Sequence, residues 1–305
     1  MSNVLVIPDI HHSTHWQKFF DSAIVDTVDE IVQLGDWFDT WDPDWTDDAP
    51  LKNFEKAFEL KKSYPKFTIL IGNHDSQYIT GDSCSGRQAY HSRDIKNALL
   101  SHIDDMKIAH CIDGWVFSHA GITKTWMGNN GFMSVDDINR AYVYGARFRE
   151  YISECHNFNP ICVTMKKFRD RFNIGNFFKN DNPEETDRLY ADIKLRMSEI
   201  LGNDEVTDDD IIFFIDKTFK AFLFTGFNCY GDDVTQSPLW VRPHSLAVDQ
   251  YFDKQCVGHT EMEGDRPMLV TDDETGQKIV VIDTPKHDVA IILDTETDEI
   301  KTVKA

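Results

Sequence analysis

Asp9, His11, Asp36, Asn73, His119 and His259 carry the oxygen and imidazole-nitrogen donors that divalent metals bind. Each follows a short apolar run at the point where a strand should end. Val4-Leu5-Val6-Ile7 precedes Asp9, Ile31-Val32-Gln33-Leu34 precedes Gly35-Asp36, and Phe67-Thr68-Ile69-Leu70-Ile71 precedes Gly72-Asn73-His74-Asp75. Trp115-Val116-Phe117 precedes His119, and Cys256-Val257 precedes Gly258-His259. Open α/β sheets gather ligands and catalytic groups beyond the carboxyl ends of their strands. Donors placed in this way describe a candidate binuclear metal hydrolase.

The loops differ in what they can contribute. Asp9-Ile10-His11 sets a carboxylate and an imidazole close enough for one turn to aim both at a single ion. In Gly35-Asp36-Trp37-Phe38-Asp39 the glycine allows close backbone approach, and Asp36 has a pair of oxygens with which to bridge two ions. Asn73 adds a neutral carbonyl to a site already rich in carboxylate, and the adjacent His74 is left for proton transfer. Any one of these residues taken alone reads better as a packed core group or a helix cap. The whole set in order does not.

The elements that must position these groups alternate between strand and helix over residues 1–125. Ser13 or Thr14 can cap a helix carrying Trp16, Phe19, Phe20, Ala23 and Ile24 on one face. Asp48 with Pro50 can open a second, carrying Leu51, Phe54, Ala57 and Phe58, and a third covers residues 94–102. Strands separated by helices predict a largely parallel sheet. From about Gly131 helices take over. Ser134 with Asp137 and Thr207 with Asp210 are capping-box signatures, and residues 184–201 space Leu189, Ile193, Met197 and Ile200 along one helical face. Residues 131–235 are therefore read as a helical, cap-like insertion within a single domain spanning 1–305. Beyond His259, residues 268–271, 278–283 and 289–293 are strands separated by turn compositions, predicting a β-meander that closes a second sheet against the first.

Bulk composition narrows the function classes. A chain of 305 residues, 41% hydrophobic, is long enough to bury a substantial core. Its 52 acidic and 31 basic residues give a net charge of -21, a field that repels nucleic-acid backbones and that bound divalent cations cancel only in small part. The six cysteines, at 84, 111, 155, 162, 229 and 256, form no Cys-x-x-Cys pair, so they read as reduced thiols. No run approaches the roughly 18 apolar residues of a membrane span, and the opening residues lack the basic and apolar regions of a signal peptide. The expected location is cytoplasmic, with no membrane partner.

The order Asp-x-His, Gly-Asp-x-x-Asp, Gly-Asn-His-Asp, His and Gly-His resembles the calcineurin-like metallophosphoesterase superfamily over about residues 4–293. That resemblance implies an αββα sandwich of two mixed sheets flanked by helices. It implies one ion on Asp9, His11 and Asp36, and another on Asp36, Asn73, His119 and His259. Gly258-His259-Thr260-Glu261 lacks the second histidine of the Gly-His-x-His found in many family phosphodiesterases and nucleases. With Ser118-His119-Ala120-Gly121-Ile122, this is similar to the serine/threonine phosphoprotein phosphatases and the symmetrical dinucleoside tetraphosphate hydrolases. Pro238-Leu239-Trp240-Val241-Arg242 resembles the segment where that branch supplies a phosphate-binding arginine. Asp39-Thr40-Trp41 departs from its Asp-Arg-Gly, so one phosphate-clamping arginine is missing, and Arg87 and Arg93 are candidates to replace it. His12 stands where glycine is common, and His244, close to Arg242, is a further candidate for the pocket.

The implied activity is metal-dependent hydrolysis of phosphomonoesters, either phosphoproteins or small phosphorylated metabolites and nucleotides. Oxygen and nitrogen ligands without thiolate suit manganese, iron or zinc alike, and manganese is the expected ion. Two such ions about 3.5 to 4 Å apart would support direct in-line attack by a bridging hydroxide. His74, kept protonated by Asp39, would protonate the leaving oxygen, while Arg242 and Asn73 would hold the phosphate. The alternative is hydrolysis of dinucleoside polyphosphates or cyclic nucleotides. A catalytically silent scaffold is the rival from another class, and the full ligand set together with His74 speaks against it.

Overall fold

The computed structural model describes residues 1–41, 49–82, 84–154, 216–224, 231–264, 266–284 and 289–304, together with 191, 194–195, 197–199, 205–207 and 210. In the first sheet β1 (Asn3–Ile7), β2 (Glu30–Gln33), β3 (Phe67–Leu70) and β4 (Met106–Lys107) are neighbours in that order and run parallel. The register sets Val4 against Glu30 and Ile31 against Phe67. The carboxyl ends of the first three strands therefore reach one edge together, where Asp9, Asp36 and Asn73 leave the sheet side by side.

The second sheet has the order β5 (Ala109–Ile112), β6 (Trp115–Ser118), β7 (Lys254–Val257), β9 (Lys278–Val281), β8 (Met268–Thr271). β6 and β7 are parallel, with Phe117 opposite Cys256, so His119 and His259 emerge from adjacent strand ends. The expected meander is not what forms. β8 and β9 make an antiparallel pair, but β10 (Val289–Asp294) crosses to the first sheet, where it lies antiparallel to β1, with β11 (Ile300–Lys304) outside it. β9 is already paired with β7 on its other side. Moreover, Val289, Ala290, Ile291 and Leu293 are all buried, a pattern that suits a strand covered on both faces rather than an edge.

The sheets pack face to face. Val4, Val6, Val32, Leu34 and Leu70 of the first meet Trp115, Phe117, Cys256, Val280 and Ile282 of the second in one core cluster. Val4 and Val6 share a face because strand side chains alternate, and each buried side chain of this kind stabilises the fold by about 1.5–3 kcal/mol. This is the predicted architecture of two mixed sheets.

Helices cover the sheets where the apolar spacing allows. α2 (Ala49–Ser63) buries Phe54, Ala57 and Phe58 and touches β3. α1 is only Gln17–Asp21 and has no side-chain cap, contrary to the expected start at Ser13 or Thr14. Ser13 Oγ instead accepts from His15 N (3.2 Å), and the buried Trp16 donates its indole N–H to Asn53 Oδ1 (3.0 Å), which fixes the entry by tertiary contact. α3 (Asn73–Thr80) is a helix the sequence reading did not separate from its motif, and α4 (Ser92–Ser101) starts slightly before the expected 94. α5 (Lys124–Asn130), α6 (Val135–Glu154) and α7 (Pro243–Val248) complete the longer helices described. At the start of α6, Ser134 Oγ accepts from Asp137 N (3.1 Å), while the Asp137 carboxylate reaches back to Met133 N (3.2 Å).

Contacts divide the chain into two compact units, residues 1–142 with 222–305, and residues 143–221. The first holds both sheets. In the second, Thr207 and Asp210 form the expected reciprocal cap, with Thr207 N donating to Asp210 Oδ2 (2.7 Å) and Asp210 N to Thr207 Oγ1 (3.2 Å). Of the helix expected over 184–201, residues 191, 194–195 and 197–199 are helical, with Met197 buried; Leu189, Ile193 and Ile200 lie outside the described residues. No described helix is long and apolar enough to cross a membrane.

Candidate metal centre

The strand ends turn sharply into the site. His11, Asp36, Asp39 and His259 have φ of 41°, 54°, 70° and 64°. Asp and His enter this left-handed region more readily than most residues, yet each such residue still costs about 1–3 kcal/mol. Local hydrogen bonds offset the strain. Asp36 O accepts from Ile10 N (3.1 Å) and His11 N (2.8 Å), Asp36 Oδ1 accepts from His74 N (2.9 Å), and Asp9 Oδ2 accepts from His259 N (3.0 Å). The buried Asp75 ties two loops together, accepting from Trp37 N (2.8 Å) and Gly72 N (2.9 Å). His12 is also left-handed (φ 68°) and packs inward, which is a conformation glycine adopts without strain; burial pushes its imidazole down to about 4.

Two of the glycines are required by close approach. A Cβ on Gly72 would fall well inside 3.0 Å of Asp36 Oδ1, and one on Gly258 would do the same to Asp9 Oδ1. Backbone and carboxylate are thus packed against each other at both places.

The imidazoles are oriented by carbonyls. His119 Nδ1 donates to Leu34 O (2.9 Å) and His11 Nδ1 to Asp39 O (3.2 Å), which leaves each Nε2 with a lone pair turned toward the site. His119 Nε2 lies 2.8 Å from Asn73 Oδ1, 3.1 Å from His259 Nδ1 and 3.4 Å from Asp36 Oδ2. His11 Nε2 lies 3.6 Å from the same Asp36 oxygen. Burial holds the pKa of His119 and His259 below the usual imidazole range, so both favour the neutral form that binds metal. Several acceptors therefore converge with few protons among them, which is the situation a cation resolves. The donor atoms of Asp9, His11 and Asp36, and those of Asp36, His119 and His259, form two groups within each of which all atoms lie inside 4.8 Å. Asp36 belongs to both.

The carboxylates point the same way. Burial, then the charges of Asp283 and Asp36, push Asp9 well above the usual carboxylate range. Burial followed by Asp36 and Glu261 raises Asp283 to about 7. Burial opposes ionisation of Asp36 as well, but His119, His74 and His11 outweigh it and bring its pKa down. A bound divalent ion inverts the unfavourable part of this balance, and hard oxygen with borderline nitrogen is the donor chemistry such an ion accepts. The donor set suits divalent metal, and the two candidate groups share Asp36.

Beside the candidate ligands, His74 Nδ1 lies 2.8 Å from Asp39 Oδ2. Asp39, fully buried, also accepts from Tyr78 Oη and Gln77 Nε2. These partners are held in turn, Tyr78 Oη accepting from Gln88 N (2.9 Å) and Gln77 Oε1 from Cys84 N (3.0 Å). Burial disfavours charge on His74, but Asp36 and the hydrogen-bonded Asp39 outweigh it and raise its pKa. Arg242 Nη1 donates to His259 O (2.9 Å) and Thr260 Oγ1 (3.1 Å), which fixes the guanidinium at the rim.

A pocket of ≈ 790 Å³ opens over this centre, and His11, Asp36, Asn73, His74, Arg242 and His259 all reach it. Asp9 and His119 lie beneath. Arg87 and Arg93 do not line the pocket; Arg87 instead donates to Ser92 Oγ (3.2 Å) and lies over the Tyr78 ring. His244 is exposed and outside the lining. Sequence reasoning missed Asp283, Glu261, Trp41 and Trp240 as lining residues. For Asp283 the signal was present, since it follows the apolar run Ile279-Val280-Val281-Ile282 as Asp9 follows β1.

The profile of a family described as calcineurin-like phosphoesterase matches residues 2–213. The chain belongs to the calcineurin-like phosphoesterase family. It is a phosphoesterase hydrolase by that membership, with Asp9 through His119 inside the matched span and Arg242 and His259 beyond it. Among solved structures, a protein serine/threonine phosphatase from Saccharomyces cerevisiae with similarity to human phosphatase PP5 is 12% identical; the likeness covers 99% of this chain and 80% of that one, with a TM-score of 0.45. The protein TT1561 of Thermus thermophilus is 10% identical, with 99% and 98% covered and a TM-score of 0.36. No curated protein matches this calcineurin-like phosphoesterase.

Proposed function

We propose that the chain is a phosphomonoesterase that works with two divalent ions, manganese in the first instance, held by Asp9, His11 and Asp36 and by Asp36, Asn73, His119 and His259. The observation that carries this reading is Asp36 Oδ2, placed 3.6 Å from His11 Nε2 and 3.4 Å from His119 Nε2, between the two ligand groups. Bound there, the ions would supply Lewis acidity toward the phosphoryl oxygens and an acidified water. His74, with Nδ1 committed to Asp39, has Nε2 for protonating the leaving oxygen. Asp39 fixes that tautomer and favours the charged imidazole, while Arg242 and Asn73 hold the phosphate. Residues 131–235 are read as a cap-like insertion that helps select substrate, and a cytoplasmic location is part of the same proposal.

The test is a panel of p-nitrophenyl phosphate, its bis-ester, diadenosine tetraphosphate and a phosphopeptide, assayed as purified, after chelation and after manganese is restored. Monoester turnover that disappears with chelation and returns with manganese is expected. Turnover of the bis-ester without the monoester would overturn the assignment, and metal-independent turnover would overturn the ion pair.

A further inference from the structure

The pocket over the metal centre has aromatic walls. Trp41 is 60% exposed, yet its ring centroid lies 5.2 Å from that of His11 and 5.6 Å from that of His74. Trp240 is half-buried, 6.2 Å from the ring of His259 and 5.0 Å from that of Phe224. Both indoles line the pocket, one beside the proposed general acid and the other beside the ligand of the second ion. A large aromatic left in contact with water at the mouth of a polar cavity is a surface for another apolar face.

The charged lining says what kind of face. Arg242 is the single lysine or arginine among the described lining residues, whereas Asp82, Glu261 and Asp283 bring carboxylates. One cation beside the ion pair suits one phosphoryl group. Further phosphates, or the acidic side chains that flank a phosphosite in an acidic peptide, would meet like charge. Glu261, exposed at the lining, offers carboxylate oxygens to an N–H or O–H donor. Stacking faces with acceptors and a lone cation select a flat, uncharged aromatic group carrying a single phosphate.

We infer that the substrate is a monophosphate ester whose leaving group bears a planar aromatic ring that stacks on Trp41 and Trp240. The inference rests on the phosphomonoesterase reading above. Its π-face could come from a nucleobase or from a tyrosyl ring, and the arms of the test separate the two.

Manganese-loaded enzyme is assayed with adenosine monophosphate, phosphotyrosine, ribose phosphate and phosphoserine, in the wild type and in Trp41→Ala. Base–aromatic stacking predicts that at least one aromatic phosphate exceeds its non-aromatic counterpart by about tenfold in kcat/KM, carried by KM. Trp41→Ala should bring that ratio toward unity. A gain for adenosine monophosphate over ribose phosphate identifies the nucleobase, and a gain for phosphotyrosine over phosphoserine the tyrosyl ring; either supports the inference. Ratios near unity in the wild type, or unchanged by Trp41→Ala, overturn it while leaving the phosphatase reading intact. If no phosphate ester is turned over, the phosphatase reading fails, and binding decides the rest. Saturable quenching of indole fluorescence by adenosine or tyrosine amide, weakened about tenfold by Trp41→Ala, supports an aromatic-binding pocket, and its absence overturns one.

Discussion

Replacing Gly258 by alanine tests whether the proposed metal ligands are held by backbone packing. The added Cβ would sit 3.2 Å from Asp9 Cγ and well inside 3.0 Å of Oδ1, with Leu34 Cβ 3.6 Å away on another side. The Asp9 carboxylate must retreat by about 1 Å, since overpacking is relieved only by moving side chain or backbone. Metal–ligand distances tolerate about 0.2 Å, so a shift of that size takes Asp9 out of the first ligand group. Disturbing the support of a ligand typically lowers affinity by about 10- to 100-fold, and at least that loss is expected for one of the two ions. Isothermal titration with manganese should show one weakened site and one near wild type, with circular dichroism confirming the fold. Gly128→Ala is the control, because nothing lies within 4 Å of its Cβ and it sits in α5, where alanine favours the helix. Unchanged affinity and stoichiometry in Gly258→Ala would refute the idea that this glycine exists to let the backbone pass Asp9.

Two further outcomes follow from the hydrogen bonds. Asp39→Asn keeps the shape but replaces the charged partner of His74, and since hydrogen bonds to charged groups contribute about 1.5–3 kcal/mol, kcat should fall about 10- to 100-fold on esters with poor leaving groups and less on p-nitrophenyl phosphate. A loss independent of leaving group would remove His74 from the role of general acid. Asp298 accepts from Lys254 Nζ (2.6 Å), Lys278 Nζ (2.6 Å) and Trp115 Nε1 (3.0 Å); burial opposes its ionisation, but these donors hold its pKa below the ordinary 3.8. The depressed value means that its contribution is complete above pH 3.8 and is lost as pH falls through the folded-state pKa. Asp298→Asn should therefore be less stable than wild type near neutrality and converge with it in acid, as read by denaturant unfolding at several pH values. A difference that persists undiminished in acid would mean that the carboxylate charge is not involved.

The positions of Asp9, Asp36, Asn73 and His259 were legible because each is the first polar group beyond its strand's apolar run, and His119 because it follows one such run with only Ser118 between; the pleat and twist of a sheet leave little freedom in where such a group emerges. The partner of β10 was not legible. Short buried strands carry no local label for the sheet they join, and only the occupied edge of β9 and the open edge of β1 decide it. The start of α1 was missed for a related reason, since Asn53, distant in sequence, fixes Trp16. Trp41 and Trp240 gave no signal because an indole at a pocket rim has the same composition as one in a core. Asp283 had the right signal, but it was read as the end of an ordinary strand.

His259 N donates to Asp9 Oδ2 across 250 residues of sequence. A ribosome adds roughly 5–20 residues per second, so on the order of tens of seconds separate the synthesis of these two residues. During that interval the nascent chain can pair β1 with β2 and β2 with β3, but β1 keeps one edge bare until β10 arrives. The Asp9–His259 contact therefore forms only after β7 has been made, and the edge of β1 stays open to other strands until β10 follows.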